Sequence, residues 1–324
     1  MILWKRGVLT RGKFAQHALH REAAHTGWWP FSYRILQELE HDFTADDEPL
    51  LERLYQSLAA GAGVFKITRR NRFTAFDAEV AERVRTAFPN AEPLVVHDMG
   101  ASNAITALEL YQTLRTVRSV ALTASDYFDT LTLVTLDEGR WTVAFDSANR
   151  SIQTTGWGTV FSNRTYPWRY ALNRMAQWWV QKQIVPHAAA VLAQGPSDAV
   201  SQIPLFHPEA LALARREANF RLCKHDIFQP NPVRSHIVRA MNVITPQHFS
   251  SEQAQAAIRA SVSNLVPGGW LILGRSIDEE DGRLRATVYQ WNGETLEPLR
   301  LHHEGYEWPE LVADLTHGVP TAVG

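Results

Sequence analysis

The sequence predicts an α/β chain built on a doubly wound, mostly parallel sheet. Three observations carry that reading. From Pro93 onward, short apolar runs alternate with amphipathic helical segments; Leu94 to His97 passes through a tight glycine-containing turn into a helix; and two late apolar runs flank Asn292-Gly293 as an antiparallel C-terminal hairpin.

Taken in order, residues 1–92 form an N-terminal, mainly helical region, with Leu36, Leu39, Leu50, Leu51, Leu54, Tyr55 and Leu58 at near-helical spacing. Gly63 to Thr68 reads as a short strand there, and Thr74 opens a helix that Pro89-Asn90 stops. Residues 93–324 form the second domain. Leu94 to His97 is its first strand, Asp98 to Asn103 the turn, and Ala104, Ala107, Leu108, Tyr111 and Leu114 the buried stripe of the next helix. Ser119 to Ala124 is the second strand, ending in Ser125-Asp126. The alternation then lapses over an insertion at about 128–204. Here Leu131 to Leu136 and Trp141 to Phe145 read as a β-hairpin, and Tyr166 to about Leu192 contains a Trp-rich helix. It resumes with a helix from Pro208 to Glu217 and strands at Phe220 to His225 and Ser235 to Asn242. Ser250 and Gln253 form a capping box ahead of the buried stripe Ala254, Ala257, Ile258, Val262 and Leu265. Trp270 to Gly274 is a further buried strand, and Leu284 to Trp291 with Leu296 to Leu301 makes the hairpin.

Composition narrows the function classes. Among 324 residues, 34 acidic side chains face 32 basic ones, which gives no sign of a polyanion-binding stripe and argues against a nucleic-acid partner. Cys223 is the one cysteine, so neither a disulfide framework nor a Cys-based zinc site can be built. No targeting or spanning segment is visible, so a cytoplasmic protein with no membrane partner is expected. His302-His303 lacks a ligand set, and no metal is expected. Of the 11 tryptophans, Trp28 and Trp29 lie near the N-terminus, and Trp141, Trp157, Trp168, Trp178 and Trp179 crowd the middle. They either fill subdomain cores or line a pocket for an organic substrate.

In an open α/β sheet, ligands bind at the carboxyl ends of strands near the switch point. Asp98 and Gly100 stand at the first such end, with Ala101, Ser102 and Asn103 completing the turn. Asp126, followed by Tyr127, ends the second strand, where a ribose would be held. Asp226, followed by Ile227, ends a third and could accept from an adenine amino group. Each acid alone could be a turn or cap residue. Three at neighbouring strand ends form a stronger signal, and the missing second glycine of a Gly-x-Gly-x-x-Gly turn disfavours a nicotinamide-dependent oxidoreductase.

Val95-Val96-His97-Asp98-Met99-Gly100-Ala101-Ser102 and the strand-end acids resemble the class I S-adenosylmethionine-dependent methyltransferases over about 93–127 and 205–301. The tract Arg239 to Ile244, Phe249, the capped helix and Leu265 to Ser276 look most like the catalytic domain of the chemoreceptor glutamate methyltransferases. The resemblance implies a Rossmann-like sheet and S-adenosyl-L-methionine as cofactor. It implies that Asp98 and Gly100 flank the methionine moiety, Asp126 holds the ribose, and Asp226 with Ile227 holds the adenine. Glu209 takes the ribose role if Phe206 to Leu211 is the tract that follows the second strand. Ser102 stands where that family commonly has glycine, so the loop is expected to sit differently around the cofactor's carboxylate. Thr245-Pro246 stand where the receptor enzymes have an aromatic, and residues 1–90 do not match their N-terminal domain, so the acceptor is expected to be a small organic molecule or an exposed protein side chain. Asn242 is expected either to border the cofactor and orient the acceptor or to cap the loop Val243 to Phe249, and His248 is a candidate base beside His97 and His225, each of which could equally be structural. The N-terminal helices and the insertion are expected to form a lid. The competing reading is a catalytically silent methyltransferase-like protein that binds a partner through the aromatic insertion.

Overall fold

The computed structural model describes residues 4, 6–13, 30–60, 64–66, 68–162, 168–278, 283–313 and 315. Trp28, Trp29 and parts of the expected elements at Gly63 to Thr68 and at Tyr166 lie outside the described residues. The chain divides into two compact units, Met1–Ile67 with Phe128–Pro208 and Thr68–Tyr127 with Glu209–Gly324.

The first unit opens with α1 (Arg34–Asp42), α2 (Glu48–Ser57) and the short pair β1 (Ala59–Ala60) and β2 (Val64–Phe65). The second unit follows with α3 (Thr74–Ala87), β3 (Leu94–Met99), α4 (Ile105–Arg115) and β4 (Val120–Asp126). The chain returns to the first unit as β5 (Thr130–Leu136), β6 (Trp141–Phe145), β7 (Ser151–Gly156), β8 (Thr159–Ser162), α5 (Ala171–Ala193) and β9 (Val200–Pro204). From α6 (Pro208–Arg216) it runs through β10 (Phe220–Lys224), β11 (Ser235–Met241), α7 (Ser251–Val262), β12 (Leu265–Asp278), β13 (Arg283–Trp291), β14 (Leu296–His302) and α8 (Pro309–Ala313).

In the second unit the sheet order is β10-β4-β3-β11-β12-β13-β14. The first five strands are parallel, and the C-terminal hairpin β13-β14 adds antiparallel to β12. This is the doubly wound Rossmann-like sheet with the antiparallel hairpin that the alternation predicts. β3 and β11 lie in its middle and are buried along almost their whole length, as parallel strands covered on both faces must be. Winding runs outward from β3 through β4 to β10, then restarts at β11 on the other side of β3. The switch point therefore falls between β3 and β11. The capping box of α7 is formed, with Ser250 Oγ accepting from Gln253 N at 3.3 Å and Gln253 Oε1 accepting from Ser250 N at 3.0 Å. Its stripe Ala254, Ala257, Ile258 and Val262 packs with Val238, Ala240, Leu271 and Leu273.

The first unit joins two segments that the sequence separates. Its sheet has the order β8-β7-β6-β5-β9, all antiparallel. Leu131 and Leu133 on one face of β5 pack with Ile35, Leu39, Leu51 and Leu54 of the N-terminal helices. Val134 and Leu136 on the other face pack with Val180, Ile184 and Ala188 of α5. A strand apolar on both faces needs a layer on each side, so the expected separate helical region and hairpin insertion are parts of one three-layer body. The second unit begins at Thr68, and its α3 packs along α4.

Candidate functional site

β3 ends on a buried charge cluster. Asp98, 3% exposed, receives Arg239 Nε and Nη2 from β11, each at 2.8 Å. Arg239 Nη1 bonds Asp77 Oδ1 of α3 at 2.9 Å, and its Nη2 also reaches Thr106 O at 3.1 Å. The Asp98 carboxylate, expected beside a methionine moiety, is thus turned inward and engaged by the guanidinium. A single cation between two buried carboxylates leaves a charge to be accommodated. Burial foremost, with Asp98 adding, pushes Asp77 up to about 7 against the pull of Arg239, and Asp77 Oδ2 is buried without a hydrogen-bond partner. Sequence reasoning passed over this pairing, although Arg239 within the run Ser235 to Met241 signalled it: a charge inside a two-sided buried strand requires a partner.

The loop after β3 is shaped by its backbone. Gly100 (φ +64°), Ser102 (φ +58°) and Ala104 (φ +63°) are left-handed, as is Asn242 (φ +61°) across the switch point after β11. A Cβ on Gly100 would collide with the Val243 side chain, so the two loops approach closely where winding reverses. Non-glycine residues in this conformation each cost of order 1 kcal/mol or more and persist where their surroundings enforce them. Here Ala101 N is held by Ser125 O at 2.8 Å and Ser102 N by Asp126 Oδ2 at 2.8 Å. Asn103, 2% exposed, turns the chain into α4 by accepting from Ile105 N at 3.1 Å and donates to Thr68 O at 3.3 Å.

The neighbouring strand ends align in register, Met99 opposite Ser125 and Lys224 opposite Asp126. Tyr127 is half exposed, with Lys224 Nζ 5.4 Å from its ring centre. Beyond β10, Asp226 is partly exposed and its Oδ1 accepts from Phe228 N at 3.0 Å. Ile227 is buried in the core with Met99 and Val238, so it is Phe228, exposed and edge-on to Phe249 at 5.4 Å, that offers an aromatic surface there. Glu209 is ion-paired with Arg70 at 2.7 Å in the first turn of α6 and does not stand at a strand end.

The histidines part company. His97 is fully buried, with Nδ1 2.8 Å from Asn231 Oδ1 and Nε2 2.8 Å from Ser125 Oγ; burial drives it down to about 4, so it is a neutral structural bridge. His225, 5.4 Å from His97 between ring centres, is also lowered by burial, and its Nε2 is buried without a hydrogen-bond partner. His248 is exposed on the loop after β11. Asn242 stands at the end of β11; its Oδ1 accepts from Ser276 N at 2.8 Å and its N donates to Gly274 O at 2.8 Å. Ser276 Oγ in turn accepts from Arg72 Nε at 2.8 Å, a contact with the segment before α3 that strand patterning does not expose. Tyr306 OH donates to Ile244 O at 3.0 Å and fixes the same loop from the C-terminal side. No group of three or more His, Cys, Asp or Glu among the described residues is placed to hold a metal, and no helix among them is long and apolar enough to cross a membrane.

No protein-family model and no curated protein matches the chain. Solved structures align weakly. The amino pentose methyltransferase CalS10 from Micromonospora echinaspora, solved with SAM bound, is 16% identical at a TM-score of 0.30, covering 67% of this chain and 63% of its own. LepI in complex with SAM is 10% identical at 0.29, covering 61% and 30%. The sugar N-methyltransferase KedS8 from a Streptoalloteichus species is 12% identical at 0.30, covering 68% and 62%. This chain therefore spans less than two thirds of each of these proteins. None of the three is a chemoreceptor glutamate methyltransferase, and likenesses this distant carry no weight for activity.

Proposed function

We propose that the second unit is an S-adenosylmethionine-dependent methyltransferase domain acting on a small organic molecule or an exposed protein side chain. The observation that carries this reading is the left-handed loop Gly100 to Ala104 at the switch point, tied by its own backbone to the acid ending the next strand. Ligands of doubly wound sheets lie in that crevice. A carboxylate has about four acceptor sites, so Asp126 holding Ser102 N is compatible with its accepting from ribose hydroxyls. The unpartnered, buried Nε2 of His225 beside Asp226 is a polar group that a bound heterocycle can satisfy, and it fits an adenine at the end of β10. The residues present therefore suit the cofactor.

When bound, the cofactor supplies an electrophilic methyl on its sulfonium. The chain's own residues then have three tasks. The N-terminus of α4 holds the amino-acid end, because Asp98 is committed to Arg239 and the N–H groups of Ala101, Ser102 and Ala104 to bonds that shape the loop. Asp126 and Asp226 fix ribose and adenine. Asn242, with its carbonyl oxygen held by Ser276 N, orients the acceptor through its amide nitrogen. Burial and full hydrogen bonding remove His97 from proton transfer, which leaves exposed His248 as the histidine able to take a proton where the acceptor carries one.

Calorimetry with S-adenosylmethionine and with its demethylated product tests the reading. Saturable binding of both, weakened in Asp226→Ala, supports it; a folded protein giving no heat with either overturns it. Release of demethylated product in the presence of a metabolite pool separates a catalyst from a silent binding protein.

A further inference from the structure

We propose that the outward face of α5 docks the first unit onto an anionic membrane surface. The helix seats on its sheet through Val180, Ile184 and Ala188, spaced one turn apart. The opposite face carries Trp168 (81% exposed, in the turn before the helix), Leu172, Met175 (69%) and Trp178 (66%), with Trp179 beside them. Those positions recur at intervals of three and four, so they form one stripe. Trp157, half exposed on the turn between β7 and β8, stacks on Trp179 with ring centres 5.1 Å apart and planes at 21°, extending the stripe onto the sheet. So broad an exposed aromatic and aliphatic surface marks an interaction site.

Charge selects the occupant. The helix carries Arg174 and Lys182 and no Asp or Glu. The near balance of charge over the whole chain conceals this local excess. The Arg174 guanidinium lies 3.9 Å over the Trp168 ring, so a cation sits directly against the stripe. Exposed Trp, Leu and Met beside Arg and Lys, on a helix that carries no acid, is the pattern of a helix lying in the plane of an anionic interface. A second copy of the same face would set like charges against like charges. A single-stranded nucleic acid would gain stacking from the tryptophans but nothing from Leu172 and Met175.

The test is co-sedimentation of the full chain with vesicles of phosphatidylcholine alone and of phosphatidylcholine with phosphatidylglycerol. Binding at least about tenfold tighter to the anionic vesicles, and relieved by about 0.5 M salt, is expected. Trp168→Ser with Trp178→Ser lowers it by about tenfold or more while the circular dichroism and melting temperature hold. Arg174→Glu with Lys182→Glu, which leaves the tryptophans in place, lowers it by about fivefold for each charge removed. Equal affinity for the two vesicles, absence of binding, self-association abolished by the same Trp→Ser pair, or tighter binding to a single-stranded oligonucleotide each overturns the proposal.

Discussion

Replacing Asp77 with asparagine tests whether the buried cluster holds a proton. Asp77 and Asp98 share the one guanidinium of Arg239, and desolvation of Asp77 outweighs the attraction, raising it from 3.8 to about 7. Between those limits the folded protein keeps a proton that the unfolded chain has released. Linkage then fixes the sign: stability from this group is fully present below the unfolded value and is lost as pH rises through the folded one. One proton held by the folded chain alone makes stability fall by about 1.4 kcal/mol for each unit of pH, so the loss amounts to roughly 4 kcal/mol across the whole window. Asparagine has no proton to lose and keeps an oxygen for Arg239 Nη1. Urea unfolding of both proteins at about pH 5 and about pH 8 should therefore show the variant ahead of the wild type by roughly 1.5 kcal/mol at the lower pH and by roughly 4 kcal/mol at the higher. Parallel stability curves over that range would refute a proton on Asp77.

Gly100→Ala should cost about 1–3 kcal/mol in urea unfolding, from the left-handed strain and the collision with Val243, and adding Val243→Ala should recover the part due to collision. Asp226→Ala should weaken S-adenosylmethionine binding by about 1–3 kcal/mol in calorimetry, and unchanged affinity places the adenine elsewhere. Asn242→Ala should lower stability by about 1–2 kcal/mol, through loss of the Ser276 N bond and of the tolerance for its positive φ. Asn242→Gly keeps the backbone but not the amide: if it restores stability without restoring turnover, the side chain orients the acceptor, and if it restores both, the side chain only shapes the loop.

Much of the sheet of the second unit was legible because buried parallel strands are continuous apolar runs and their crossover helices carry 3.6-residue stripes. The α7 capping box was legible for a similarly local reason, since its partners lie three residues apart. The first unit was not, because what joins its parts is pairing across distance. β7 and β8 are threonine-rich and short, and their turn at Trp157-Gly158 lacks the usual Asn-Gly signature. The layer over Leu131 and Leu133 comes from residues about a hundred positions earlier. The apolar residues on both parities of β5 announced that two layers were needed, yet not which segments supply them. In the candidate site, strand-end acids could be located from alternation alone, but whether a carboxylate faces outward or into the sheet depends on partners such as Arg239, which sequence spacing does not reveal.

The inward turn of Asp98 changes what the site demands of its sequence. Where an outward carboxylate holds a ligand, side-chain identity is the constraint; where backbone N–H groups do so, conformation is. Here three left-handed residues in five positions must be held, and two of them, Ser102 and Ala104, have side chains that resist that geometry. The retention comes from the Ser125 O and Asp126 Oδ2 bonds, the Asn103 Oδ1 bond to Ile105 N, and the packing of Val243 against Gly100. Under the proposed function, Asp126 both keeps the loop in shape and meets the ligand. A glycine at position 102 would remove much of the strain and, with it, part of the structural reason for the Asp126 bond. Ser102 is therefore coupled to the acid at the next strand end through a single backbone bond, and the strained residue and its partner are two parts of one local solution.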